Sequence, residues 1–255
     1  MIAWLRSVLH GLWMAVTVIP WTCAVWLASL RSPRAAWWVA VSWFRVVMGG
    51  TRVLLGVRFE VQGQQHLQYL SETGQACVIL SKHQSALETL LLPTLIAHPL
   101  AFVFKRELLR VPFFGWSMAR LDMIHIDRES RTLAMKHVIE QGRRLLAQGT
   151  SVVMFPEGTR APRGQAGTYQ TAGTRLAVDA GVAVLPVAVA TARVWPREHF
   201  VKQPGVVRVS FGPPMPSAGR DPKALMREVQ SWIEDEMRRI DPEAYGDTQA
   251  VAPKP

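Results

Sequence analysis

Ala76-Cys77-Val78-Ile79-Leu80, running straight into Ser81-Lys82-His83-Gln84-Ser85-Ala86-Leu87-Glu88, is the stretch on which the reading of this chain turns. Five apolar residues with no polar face read as a strand buried on both sides, the kind that helices cover in a parallel sheet. Ala86 to Ala97 reads as the helix that follows, and a strand end leading into a helix start is where open parallel sheets place their sites. His83 and Glu88 are five apart, about 140° out of register on a regular helix, so they meet only if His83 lies in the turn ahead of it. In such a pair the carboxylate holds the imidazole tautomer while the other ring nitrogen takes a proton from a substrate hydroxyl. The plainer alternative is a helix-start histidine and a solvated glutamate.

Outward from this stretch the same texture repeats. Phe59-Glu60-Val61, Ala101 to Lys105, Met123 to Asp127, Ser151 to Phe155, Val182 to Ala190 and Val206 to Phe211 read as strands. Between them lie a helix with the stripe Met135, Val138, Ile139, Gly142, Leu145 and Leu146, N-capped by Ser130, and another over Gly173 to Ala180. The last helix opens at Asp221-Pro222 and carries Leu225, Val229, Trp232, Ile233, Met237 and Ile240. Strands alternating with helices predict an α/β fold, a largely parallel central sheet flanked by helices.

Two further clusters sit at strand ends. Phe155-Pro156-Glu157-Gly158-Thr159-Arg160 combines a glycine that permits close backbone approach with a guanidinium suited to phosphate, and Glu157 is placed to orient Arg160. An ordinary turn with a surface ion pair is the competing reading. Lys105-Arg106-Glu107-Leu108, followed by Val111-Pro112-Phe113-Phe114-Gly115-Trp116, offers two adjacent cations and an aromatic run that is either a core plug or a wall for an acyl chain.

The N-terminus has a different character. Seven of the ten Trp lie in the first 43 residues, and the first 59 contain six Arg but no Lys, Asp or Glu, so they carry +6 of the formal +10. Arginine meets lipid phosphate and tryptophan settles at the headgroup boundary, so this composition belongs at a membrane surface. Gly11 to Leu30 is uncharged for twenty residues, and Ala35 to Val57 is apolar but interrupted by Arg45 and Arg52 on one helical face. These segments predict a helical hairpin with one deep and one amphipathic arm, held on one leaflet. A transmembrane anchor or a signal peptide would need a similar run, but Arg31-Ser32-Pro33-Arg34 offers no small-x-small cleavage site. The expected organisation is a membrane-associated hairpin over 1–58, an α/β domain over 59–240 and a flexible tail over 241–255.

Several function classes find no support. There is no phosphate loop and no dinucleotide fingerprint. Metal-ligand spacings are missing, so no metal is expected. Cys23 and Cys77 are too few for a disulfide scaffold. Nucleic acid is not an expected partner, because the excess charge lies among Trp in an apolar segment. Gly115-Trp116-Ser117-Met118-Ala119 is not a nucleophile elbow. His125 and Asp127, two apart on one strand face, and Arg143 and Arg144 on a helix flank read as structural and solvated side chains.

Taken in order, His83-Gln84-Ser85-Ala86-Leu87-Glu88, Lys105-Arg106-Glu107-Leu108 with Pro112-Phe113-Phe114-Gly115, Phe155-Pro156-Glu157-Gly158-Thr159-Arg160 and Val184-Leu185-Pro186-Val187 resemble the four blocks of the glycerolipid acyltransferase family, nearest to its 1-acyl-glycerol-3-phosphate acyltransferases. The resemblance spans about residues 60 to 215. It implies acyl transfer from a coenzyme A or acyl carrier protein thioester, a co-substrate, to the sn-2 hydroxyl of a lysophospholipid, with no other cofactor. His83 would be the general base and Glu88 its orienting carboxylate. Lys105 and Arg160, with Arg106, Glu157, Gly158 and Thr159 around them, would hold the acceptor phosphate, and Pro186 would shape the site. The implied partners are membrane lipid and lysolipid, at the cytoplasmic face of the inner membrane. Two positions depart from the family pattern. Glu88 stands where Asp is usual, and Lys82 stands where Asn is common, a change bearing on acceptor preference or on nothing.

Overall fold

The computed structural model describes residues 1–126 and 131–246. The chain opens with two long helices, α1 (Ile2–Ser29) and α2 (Pro33–Leu55). Then follow β1 (Val57–Gln62), α3 (Gln65–Thr73), β2 (Val78–Ser81), α4 (Leu87–Leu95) and β3 (Leu100–Lys105). A 3-10 turn (Arg106–Arg110), α5 (Phe114–Met118), β4 (Ile124–Ile126), α6 (Arg131–Ala147), β5 (Ser151–Met154) and α7 (Ala172–Ala180) come next. The order closes with β6 (Val184–Ala190), β7 (Gly205–Phe211) and α8 (Pro222–Ile240).

Among the described residues, seven strands form one sheet in the order β1-β7-β6-β2-β5-β3-β4. Every pairing is parallel except β6 with β7, as the sequence predicted for most of the sheet. The central strands are buried throughout, and their period of two divides the core. Cys77 and Ile79 of the β2 segment, Val153 of β5 and Leu185, Val187 and Val189 of β6 join α2 and α4 on one face. Val78, Leu80, Val152, Met154, Val184 and Ala188 join α6, α7 and α8 on the other.

The helix ends follow their local chemistry. Ser32 caps α2, accepting from Ala35 N at 3.0 Å, with Pro33 at the first turn and Gly56 at φ 70° beyond the end. Asp221 caps α8 in the expected way, accepting from Ala224 N at 2.8 Å. Gly142 lets α6 lie against α7: a Cβ there would stand 2.5 Å from Leu176 Cδ2. The expected cap Ser130 lies outside the described residues, as does Asp127.

The hairpin packs differently from the expectation. The second arm is amphipathic, with Arg45 and Arg52 exposed, but its apolar face, including Trp37, Val41, Phe44 and Val47, is part of the same core cluster as the sheet. The first arm starts at Ile2, earlier than its uncharged run, and continues through Pro20. Its outer face leaves Trp4, Leu5, Leu12, Val16 and Leu27 exposed. Tryptophan serves the hairpin as a donor as well: Trp21 Nε1 bonds Ser42 Oγ at 2.7 Å and Trp43 Nε1 bonds Thr17 Oγ1 at 3.2 Å. Lys202 N donates to Ser7 Oγ at 2.8 Å and Thr22 Oγ1 to Phe113 O at 3.1 Å, tying α1 to the α/β layers. An outward apolar, Trp-bearing face of this length marks a membrane-associated protein.

Two other regions differ from the sequence reading. Helix α3 arises in a largely polar stretch whose apolar side is reduced to Leu67 and Leu70, three apart, which pack against the core. The segment expected to begin a flexible tail instead starts with a 3-10 turn (Pro242–Ala244), because Asp241 takes Arg163 in a two-point pair, Nη2 to Oδ1 at 2.6 Å and Nε to Oδ2 at 2.9 Å. Residues 247–255 lie outside the described part.

Candidate active site

Four neighbouring parallel strands, β6, β2, β5 and β3, end on one edge of the sheet. With strands about 4.8 Å apart, their C-terminal residues fall within reach of one small substrate. This edge collects Thr191, the turn Lys82 to Ala86, the loop Phe155 to Ala161, and Lys105 with Arg106.

The turn after β2 has the form that the spacing required. His83 precedes α4, and its Nδ1 lies 3.2 Å from Glu88 Oε2. Glu88 is fully buried, and the chain folds around its carboxylate. Ser85 N donates to both oxygens at 2.9 and 3.0 Å, Gln84 N to Oε1 at 3.3 Å and Ser85 Oγ to Oε1 at 3.2 Å. Thr191 Oγ1, just beyond β6, donates to the same Oε1. Glu has one methylene more than Asp, and this set of donors fixes where the longer carboxylate stops. With Nδ1 facing Glu88, Nε2 is the ring nitrogen left to accept a proton. The imidazole stacks on Phe155, centroids 4.0 Å apart at 20°, and Phe155 packs with the core cluster on the hairpin side. His83 therefore looks toward the membrane-facing half of the molecule.

The loop after β5 grips this turn by its backbone. Ala161 N donates to His83 O at 2.7 Å, and His83 N donates to Glu157 Oε2 at 2.9 Å. Glu157 Oε1 accepts from Lys82 Nζ at 2.7 Å and from Gly167 N at 3.0 Å. This corrects the expected role of Glu157: its carboxylate is buried and spent on the adjoining turn, and Arg160 is not among its partners. Gly158, at φ 69°, and Thr159 are exposed, with Arg160 half-buried beside them and its carbonyl accepting from Arg197 Nη1 at 2.8 Å. The left-handed glycine turns the chain so that this exposed main chain faces outward.

Lys105 is exposed at the end of β3, and Arg106 opens the 3-10 turn beside it. Pro186 sits elsewhere than expected. It lies inside β6 opposite Leu80, and its Cγ would stand 2.7 Å from a Cβ on Gly212, beside Trp232. The alternation of β6 turns its ring to the α8 side, so it acts on the site only through the sheet.

The remaining candidates resolve into structural roles. Ser117 Oγ donates to Thr22 Oγ1 at 3.1 Å and to Phe113 O at 3.0 Å, which joins α5 to α1. Phe114 lies against Trp43, centroids 6.3 Å apart, and lines an apolar cleft with Val18, Trp21, Val25 and Leu121. Arg144 makes a two-point ion pair with Asp122. His125 is exposed, its ring 5.7 Å from that of His137. Among the described residues, no group of three or more His, Cys, Asp or Glu side chains is placed to hold a metal.

The sequence reading missed Thr191 and the role of Gln84. Gln84 Oε1 accepts from Thr191 N at 3.2 Å and Ala192 N at 3.3 Å, binding the end of β6 to the turn after β2. The signal for Thr191 was available: it is a hydroxyl at the C-terminal end of a buried parallel strand, the same position that flagged the other clusters.

The acyltransferase family model matches residues 58–190. The chain is 40% identical over 243 residues to a 1-acyl-sn-glycerol-3-phosphate acyltransferase of Pseudomonas aeruginosa, covering 93% of this chain and 92% of that protein. It is 28% identical over 240 residues to the 1-acyl-sn-glycerol-3-phosphate acyltransferase alpha of Mus musculus, covering 92% and 80%. Among solved structures, the 1-acyl-sn-glycerophosphate acyltransferase of Thermotoga maritima shares the fold, with a TM-score of 0.78 over 93% of this chain and 95% of that one at 21% identity. With the family model spanning the site and close relatedness running nearly end to end, the chain belongs to the acyltransferase family and is an acyltransferase.

Proposed function

We propose that this enzyme transfers a fatty acyl group from a coenzyme A or acyl carrier protein thioester to the sn-2 hydroxyl of 1-acyl-glycerol-3-phosphate, giving phosphatidic acid. The observation that carries the reading is the His83–Glu88 pair, held at 3.2 Å by a fully buried carboxylate on the sheet edge that also bears Arg160 and Lys105. The names of the relatives support the acceptor.

His83 Nε2 takes the proton of the acceptor hydroxyl as its oxygen attacks the thioester carbonyl, because an alcohol far from its pKa becomes a competent nucleophile only as the proton leaves. Glu88 holds the tautomer and stabilises the imidazolium. The tetrahedral intermediate collapses, the carbon–sulfur bond breaks, and the thiol leaves with the proton that His83 returns. Arg160 and Lys105 bind the acceptor phosphate and orient the hydroxyl, which makes a single displacement efficient. The donor is a co-substrate, and no resident cofactor takes part.

The exposed face of α1 embeds in one leaflet at the cytoplasmic face of the membrane. A crossing hairpin would need lipid around both helices, whereas α2 has its apolar side in the protein core.

The test is acyl transfer by the purified, detergent-solubilised protein and its His83→Ala variant, with a panel of lysolipids and both thioester types. Transfer to lysophosphatidate that is lost in the variant is the expected result, and it names the donor. Acylation of another lysolipid alone would keep the chemistry and change the acceptor. A fully active variant would remove His83 from the mechanism.

A further inference from the structure

Lys82 and His83 are adjacent, yet they leave the sheet on opposite sides. The alternation of Val78 and Leu80 carries on to Lys82, which points toward α8, while the His83 ring stacks on the hairpin side. Lys82 is 0% exposed. An ammonium has three N–H donors, and here each has one acceptor: Glu157 Oε1 at 2.7 Å, Glu234 Oε1 of α8 at 2.8 Å and Gln165 O at 2.9 Å. Enclosed in this way, Lys82 has no access to a bound lysolipid. The replacement of the common Asn therefore does not act by touching the acceptor.

Its influence runs through Glu157. That carboxylate takes Lys82 on one oxygen and the His83 backbone N–H on the other, so the ammonium fixes the group that fixes the position of the His83 main chain. Glu234 completes the arrangement. Its Oε1 also accepts from Tyr169 Oη at 2.8 Å, and its Oε2 is buried with no hydrogen-bond partner among the described residues. Burial, with the nearby Glu157 and Glu234 carboxylates, drives the Tyr169 pKa upward and keeps its hydroxyl a donor. One cation thus serves two buried carboxylates. Removing the cation alone leaves like charges facing a common space, which is far more costly than removing the cation and one carboxylate together.

We propose that Lys82 and Glu234 form a buried clamp that positions His83 through Glu157, and that lysine ahead of the histidine is functional in this chain because α8 supplies the second carboxylate. The inference rests on the reading of His83 as the base. Lys82 and Glu234 are positioning residues, since they act only through Glu157 and the His83 backbone.

The test is a double-substitution cycle in the full-length detergent-solubilised enzyme: Lys82→Met, Glu234→Gln and the pair together, with His83→Ala as the reference. Lysophosphatidate and the donor thioester that supports the wild type are the substrates. Lys82→Met is expected to lower kcat by about 100-fold, the scale of a displaced catalytic group. KM for lysophosphatidate should stay within about twofold, because the phosphate-binding side chains are untouched. In the double variant the Glu234→Gln change removes the like charge that faces Glu157 across the vacated ammonium site, so kcat should recover about tenfold or more relative to Lys82→Met. If Lys82→Met does not fold, the double variant decides: a folded enzyme within about tenfold of wild-type kcat carries the proposal. Unchanged kcat in Lys82→Met, a rise in KM alone, or a double variant no better than Lys82→Met would overturn it while His83→Ala remains inactive. A fully active His83→Ala would instead overturn the underlying assignment of the base.

Discussion

The first turn of α4, just after the turn that follows β2, and the loop after β5 each bury a glutamate, and the two carboxylates do different things. Glu88 gathers Gln84 N, Ser85 N and hydroxyls from Ser85 and Thr191, then gives its remaining contact to the His83 ring. Glu157 gathers Lys82 Nζ and Gly167 N, then gives its remaining contact to the His83 main chain. In the proposed mechanism one carboxylate sets the proton chemistry of the imidazole, and the other sets where the imidazole stands. On the same proposal their loops divide the work, with the first carrying His83 as the base and the second carrying the exposed Gly158-Thr159-Arg160 segment that would take the acceptor.

If that division holds, Glu88→Gln should have the largest effect. The amide cannot hold the tautomer or stabilise imidazolium, so kcat should fall by on the order of 10³- to 10⁴-fold with the fold retained. Steady-state acyl transfer, with circular dichroism as the control for folding, measures this. Glu157→Gln should cost about 100-fold in kcat through misplacement of His83, together with a lowered melting temperature from the broken buried ion pair. Equal losses in the two variants, with no change in melting temperature for Glu157→Gln, would erase the distinction between the two carboxylates.

Smaller effects sharpen the comparison. Arg160→Lys should raise KM for the acceptor by about tenfold and leave kcat nearly unchanged, since a point charge replaces a two-point guanidinium in binding alone. Thr191→Val removes one donor from Glu88 and should lower kcat by about tenfold, while Thr191→Ser keeps the hydroxyl and stays within about twofold of the wild type. A kcat effect from Arg160→Lys and a KM effect from Thr191→Val would reverse the assignment of the two loops.

The smallest effect concerns the frame beneath both loops. Cys77 N donates to Ser151 Oγ at 3.1 Å, which links the starts of β2 and β5. Burial pushes the Cys77 thiol up to about 12, so its thiolate appears only as the pH approaches that value. At about pH 8 an alkylating reagent should leave Cys77 unmodified in the native protein and react with exposed Cys23. Mass spectrometry of labelled peptides checks this, and native labelling of Cys77 would show that the frame opens.

Local grammar was legible in the residues alone. Apolar strands without a polar face, the Asp221-Pro222 cap and the α8 stripe follow from period and composition, and the structure has them where the residues put them. The His83–Glu88 pair was legible because its members sit five apart, one in the turn ahead of α4 and one in its first turn, and that spacing admits few geometries. Helix α3 was not, because Leu67 and Leu70 among polar neighbours make too short an apolar stripe to stand out. The two N-terminal helices look alike as apolar runs, and only packing made α2 a core helix and left one face of α1 for lipid.

Who meets whom across the sheet edge came from the folded topology. Lys82 lies 75 residues from Glu157 and 152 from Glu234, and Glu88 lies 103 from Thr191. No spacing rule reaches so far. Those contacts exist because β6, β2 and β5 are neighbours in the sheet while distant in the chain, and because the pleat sends adjacent residues to opposite faces. Glu157 was expected beside Arg160 for the same reason. Sequence proximity suggested a partner, but the buried carboxylate needed donors that could follow it inside, and Lys82 and two backbone N–H groups were the ones the fold supplied.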